Sequence, residues 1–171
     1  MKMKLAIVPF IFIALTLFVA SAGVNLTVFA QPQKPHFIAD LSGKSAIPPN
    51  LSTKATGKAI FTVTDGGNKM LYSVNATKIN GVTDVVLVFS RGEPLRASDV
   101  AYLRLGSQQG PTGPINGALV QGNITSSNLL GPLEGKHISD LIKDMIDGHI
   151  YLWVTTAMSP PGIAGKVTPA S

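Results

Sequence analysis

The side chains best able to bind a metal or move a proton in this 171-residue chain are three histidines, His36, His137 and His149, with the carboxylates Glu134, Asp140, Asp144 and Asp147 close to two of them. No two histidines stand at i,i+2 on a strand or i,i+4 on a helix, the separations that aim two imidazoles at one ion. His137-Ile138-Ser139-Asp140 holds the letters of a hydrolase triad. A triad is made by geometry rather than adjacency, and Ser139 as a helix N-cap with Asp140 in the first turn accounts for both residues. Asp144, Asp147 and Glu134 read as solvated charge on or near the polar side of that helix. Acid–base work by paired carboxylates needs a shared cleft, and nothing in the pattern indicates one. With no cysteine there is no thiolate nucleophile or thiolate metal ligand. The glycine-rich stretches 106–117 and 162–165 lack the Lys-Ser/Thr of a phosphate-binding loop. The expectation is therefore no catalytic residue, no metal ligand and no cofactor.

Two other groups of residues carry information. Asn50-Leu51-Ser52, Asn75-Ala76-Thr77 and Asn123-Ile124-Thr125 are N-glycosylation sequons, falling in expected turns or on polar strand faces. Tyr151 and Trp153 alternate on one side of a late strand. They suit either edge packing or an aromatic surface for a sugar or protein partner.

The N-terminus bears on whether these sequons meet a glycosylation machinery. Lys2 and Lys4 precede an unbroken apolar run, Leu5 to Ala20, and a small-residue and polar stretch ends at Val28-Phe29-Ala30. This is the pattern of a secretory signal spanning 1–30, cleaved after Ala30 or, as a second candidate, after Ala22. The rival is an uncleaved membrane anchor, since about 20 apolar residues span a bilayer; Asn25 and Thr27 weaken it. Residues 31–171 then form one domain. A chain of that size buries roughly two thirds of its unfolded surface and needs no disulfides. Setting Lys2 and Lys4 aside, 12 basic residues face 9 acidic ones. The basic residues are singly spaced, with only Arg91, Arg96 and Arg104 approaching a cluster, so no nucleic-acid groove is expected.

The elements that must position these residues are mostly strands. Phe37, Ala39 and Leu41 alternate with more polar neighbours, as do Ala59, Phe61 and Val63, and then Tyr72, Val74 and Ala76 beyond the turn residues Asp65-Gly66-Gly67-Asn68. Val82 to Phe89 is nearly continuous and β-branched, as suits a strand covered on both faces. Ala101, Leu103 and Leu105 mark another strand, and residues 118–121 a short one. Ile138, Leu141, Ile142, Met145 and Ile146 form the stripe of a single helix, closed by Gly148. Ile150, Leu152 and Val154 alternate in the late strand, and Ile163 to Val167 closes the domain. The fold class expected is all-β, an antiparallel β-sandwich or Greek-key barrel with one short helix before the penultimate strand.

In order and spacing these segments resemble the CHRD domain, a family named from chordin and widespread as a single secreted domain in prokaryotes. The residues carrying the resemblance are Phe37-Ile38-Ala39-Asp40-Leu41-Ser42-Gly43, Pro48-Pro49, Thr56-Gly57-Lys58-Ala59, Leu71-Tyr72-Ser73-Val74 and Ile79-Asn80-Gly81-Val82-Thr83. It continues through Gly122-Asn123-Ile124-Thr125 with Leu129, Leu141 to Gly148, Tyr151, and Pro161-Gly162-Ile163-Ala164-Gly165. The family pattern carries a His-x-His pair where this chain has Val86 and Val88, and a further histidine where it has Thr155. If relatives hold a polar or metal site there, this sequence replaces it with apolar packing. The resemblance implies a secreted or cell-surface, non-enzymatic domain with a binding or structural role in the extracellular envelope, its partner a protein or glycan. The alternatives are a metal-dependent redox or hydrolytic enzyme on a superoxide-dismutase-like sandwich, disfavoured by the missing histidines, and a membrane-anchored surface protein.

Mass spectrometry of the protein recovered from its native host tests the export reading. The expected N-terminus is Gln31, with a mass above that of the polypeptide from occupied sequons. An intact Met1 overturns cleavage, and a bare polypeptide mass overturns glycosylation.

Overall fold

Alternation of apolar and polar residues builds the first strands. In the computed structural model, which describes residues 36–46, 48–49, 51–91, 97–104, 114–157 and 162–170, β1 (His36–Ser42) pairs along its whole length with β2 (Thr56–Thr64). β2 turns through Asp65-Gly66-Gly67, all three at positive φ, into β3 (Lys69–Ile79). Phe37, Ala39, Leu41, Ala59, Phe61, Val63, Met70, Val74 and Ala76 point inward and are buried, which is the face the sequence alternation assigns to the core.

β4 (Val82–Phe89) lies between β5 (Ser98–Arg104) and β7 (Ile150–Thr156). The remaining strands are β6 (Ile115–Ile124), β8 (Ile163–Lys166) and the two-residue β9 (Thr168–Pro169). The sheet runs β5-β4-β7-β8-β1-β2-β3-β6, with β9 beside β1, and every ladder is antiparallel. It curls until its two ends meet, giving a nearly closed barrel. Of the two architectures open to the sequence, the barrel is the one formed.

The seam between the end strands β5 and β6 is closed by side chains and a loop. Tyr72 on β3 crosses β6 at Gly122, where a Cβ atom would sit 2.6 Å from the tyrosine oxygen. Its hydroxyl then donates to the Leu103 carbonyl on β5 at 3.1 Å. Past β6, the Leu130 N–H donates to the Val100 carbonyl at 2.9 Å. Backbone groups at a sheet edge are costly unless paired or covered, and these contacts do both for β5. β6 is ten residues long, well beyond the short strand expected at 118–121, because Gly117 and Gly122 interrupt its alternation without ending its pairing to β3.

The helix α1 (Ile138–Ile146) precedes β7, the penultimate strand apart from the short β9. Its N-cap is His137, whose N–H donates to the Asp140 carboxylate at 2.9 Å. Ser139, expected as the cap, lies inside the first turn instead. Ile138, Leu141 and Met145 bury their side chains in the core, whereas Ile146 is 60% exposed. At about 100° per residue Ile146 lies at the border of the stripe, roughly a quarter turn from its centre. Gly148, at φ 73°, ends the helix as the sequence indicates.

Removing the seam hydrogen bond while keeping the ring, as in Tyr72→Phe, is expected to lower stability by about 1 kcal/mol. Gly165→Ala is expected to cost more, about 1–3 kcal/mol, because its Cβ would lie 2.2 Å from the Asp40 carbonyl oxygen of β1. Urea unfolding measures both as a lower midpoint at unchanged slope.

Candidate functional site

In an antiparallel ladder, directly opposed residues project to the same face. On the outside of the barrel, pairing therefore sets Tyr102, Val86, Trp153 and Ala164 in one row across β5, β4, β7 and β8, and Asp99, Val88, Tyr151 and Lys166 in a second. Val86 and Val88 are 4% and 1% exposed although they face outward, whereas Val85 and Leu87 belong to the interior cluster. β4 is thus buried on both faces, as its unbroken apolar run requires. Tyr151 and Trp153 are half-buried, so the aromatic surface is sunk between its neighbours rather than raised above them. The Trp153 indole N–H is shut off from solvent and has no hydrogen-bond partner among the described residues.

A bulge sets the phase of β4. Val82 opposes Thr156, but Asp84 already opposes Thr155, so Thr83 is the extra residue and both polar side chains turn outward before Val85 resumes the interior position. The Thr83 and Thr155 hydroxyls are 2.9 Å apart, and the Thr155 hydroxyl donates to the Asp84 carboxylate at 3.2 Å. A polar corner results beside the aromatic rows. Two consecutive polar residues inside an apolar strand are the mark of this bulge in the sequence. Tyr102, absent from the sequence-derived candidates, joins the face through a hydrogen bond from its hydroxyl to Asp99. That bond, with smaller effects of burial and negative charge, raises the Tyr102 pKa above its ordinary value. Burial raises that of Tyr72 at the seam.

The sequons lie elsewhere on the barrel. Asn75 on β3 and Asn123 on β6 are exposed, both on strand faces, and Asn50 lies outside the described residues. Along the sheet β8, β1 and β2 lie between β7 and β3, while β6 borders β5 across the seam. Arg96 also lies outside the described residues. The Arg91 guanidinium stands 5.4 Å over the Phe89 ring.

The histidines are dispersed. His36 shares a hydrogen bond of 3.0 Å with the Thr62 hydroxyl, and His137 caps α1. His149 is different: its Nδ1 is within 3.5 Å of the Asp144 carboxylate, and ligating atoms of Asp144, Asp147 and His149 all lie within 4.8 Å of one another. No ligand spacing in the sequence announces this cluster, because it depends on the chain reversal at Gly148 that folds His149 back on the helix end. Asp147 pairs with Lys143, which holds its pKa below the ordinary carboxylate range and raises that of the lysine.

A family model for the CHRD domain matches residues 37–167, from the second residue of β1 to the residue after β8. The chain belongs to the CHRD domain family. Neither the curated proteins nor the solved structures yield a match to it. In this CHRD domain, the positions that the resemblance associates with imidazoles share one outer face. Val86 and Val88 stand beside Trp153 and Tyr151, while Thr155 stands beside Asp84. They lie along one stretch of the ladder, where they give an apolar and aromatic surface with a hydroxyl–carboxylate corner at one end.

The Tyr102–Asp99 bond fixes a pH response. Because the folded-state pKa of Tyr102 is raised, the bond's contribution is complete below about 10, the unfolded phenol value, and is lost as pH rises through the folded value. Asp99→Asn is expected to move Tyr102 ionisation to lower pH, read from its ring resonances in an alkaline NMR titration.

Proposed function

We propose that this CHRD domain is an exported, non-enzymatic module that binds a glycan or protein at the cell surface through the outer face of β5, β4 and β7. The observation that carries this reading is the Tyr102–Val86–Trp153 row, two aromatic rings flanking an apolar centre on the outer face, with the Thr83–Thr155–Asp84 corner at its end. Aromatic rings supply apolar contact, and a polar edge beside them can fix a ligand's orientation. A glycan on Asn75 would stand on β3, with β8, β1 and β2 between it and β7, and would leave β4 and β7 open.

A non-enzymatic role fits what the face offers. Its hydroxyls are engaged with one another and with the carboxylates of Asp84 and Asp99, and among the described residues no histidine stands beside them to take up a proton. The leader-like segment 1–30 and the family's extracellular setting support export. No helix among the described residues is long and apolar enough to cross a membrane. If the leader is retained, it would anchor the same binding face at the surface.

Trp153 is the only tryptophan in the chain, so its fluorescence reports on this face directly. Titration with solubilised envelope polysaccharide and with surface-protein extracts from the native host is expected to shift that emission in a saturable way. Pull-down with the Trp153→Ala variant is expected to recover at least tenfold less of the same ligand. Equal recovery by the variant overturns the assignment of the face.

A further inference from the structure

The C-terminal end of α1 gathers side chains that the outer face does not use. Asp144 and Asp147 are three residues apart across the last turn, and Gly148 at φ 73° folds the chain back so that His149 returns to them. The His149 backbone is held on both sides: its N–H donates to the Asp144 carbonyl at 2.9 Å, and its carbonyl accepts the Ser90 N–H at 2.8 Å. The ring meets Phe89 edge to face, with centroids 5.7 Å apart and planes at 61°. The imidazole is therefore positioned before any ligand arrives. Its Nδ1 is sealed from bulk water and makes no hydrogen bond to a described residue, although the Asp144 carboxylate lies 3.5 Å away.

We propose that Asp144, Asp147 and His149 form a binding site for a divalent first-row transition ion, with zinc the best fit to the donors. One imidazole nitrogen and two carboxylate oxygens, with atoms mutually within 4.8 Å, match the mixed nitrogen and oxygen set that zinc accepts in a three-ligand site. The imidazole nitrogen selects against calcium and magnesium, hard ions that take oxygen ligands. The partial negative charge at a helix C-terminus adds to the two carboxylates in favouring a cation. An ion there supplies the partner that Nδ1 lacks. The covered Nδ1 faces Asp144, while the Asp147 side chain, 37% exposed, leaves access for water to complete the coordination.

The surrounding cations set the competition. Lys143 pairs with Asp147, the Lys166 ammonium lies against Gly148, and Arg91 stands over Phe89. A metal ion must displace Lys143 from Asp147, so removing that lysine strengthens binding. This separates an ion held at Asp147 from one held elsewhere by a surface imidazole.

Titration of the purified protein with zinc, followed by calorimetry and by histidine NMR, tests the site. One equivalent is expected to bind, with the His149 ring resonances shifting and those of His36 and His137 unmoved. His149→Gln is expected to weaken binding at least tenfold and Lys143→Gln to strengthen it severalfold, while excess magnesium does not displace zinc. Thermal melts establish that both variants are folded. Absence of saturable binding, unchanged affinity in folded His149→Gln, or shifts confined to His36 or His137 overturns the proposal.

Discussion

The register of β4 against β7 is the constraint on which the other features rest. Ile150, Leu152 and Val154 fill the barrel and are fully buried, while Tyr151, Trp153 and Thr155 stand outside. Since side chains alternate with a period of two, a slip of one residue would drive a tyrosine, a tryptophan and a threonine into space shaped for aliphatic groups. Burying each large apolar side chain stabilises by about 1.5–3 kcal/mol, so the penalty is summed over three positions at once. The bulge at Thr83 preserves this register. It turns two polar side chains outward together and restores Val85 and Leu87 to the interior.

Closing the barrel makes a different demand, for small size where backbones crowd. β8 joins the β7 side of the sheet to β1, and Gly165 lies so close to the Asp40 carbonyl that no Cβ fits without movement. Gly57 on β2 stands in a similar relation to the Asn75 carbonyl of β3, where a Cβ would approach to 2.6 Å. The seam needs the opposite kind of residue. Tyr72 is long enough to pass over Gly122 and satisfy a carbonyl on the far edge. The glycine and the tyrosine are one device, since any side chain at residue 122 would occupy the path of the ring.

Much of the fold was legible because burial imposes a period. The β1, β2 and β3 alternation, the β-branched β4, the turn at residues 65–68 and the helix closed by Gly148 follow from pattern and turn chemistry alone. What pattern could not show depends on relations between distant segments. Closure into a barrel rests on Tyr72 reaching Leu103, and nothing near either residue in sequence announces the contact. β6 was underestimated because glycine weakens the local signal while the partner strand still supplies the pairing. His137 rather than Ser139 caps the helix, because the Asp140 carboxylate reaches the N–H of the residue three before it. Within the candidate site, the common side of Tyr151 and Trp153 was legible from their spacing, whereas the contribution of Tyr102 and the meeting of His149 with two aspartates were not.

The outer face and the cluster at the helix end are consequences of the same ladder. Its pairs run from Asp84 with Thr155, through Val86 with Trp153 and Val88 with Tyr151, to Phe89 with Ile150. One step further, the Ser90 N–H meets the His149 carbonyl. The pairing that aligns the aromatic row therefore also fixes the distance between β4 and the residue that follows the helix, and it brings the Phe89 ring against the His149 imidazole. Valine at 86 and 88 suits this ladder, because it fits a central strand covered on both sides. The apolar stretch of the outer face and the imidazole at the helix end are thus set by one register, so a slip that buried Trp153 would also carry Phe89 away from His149.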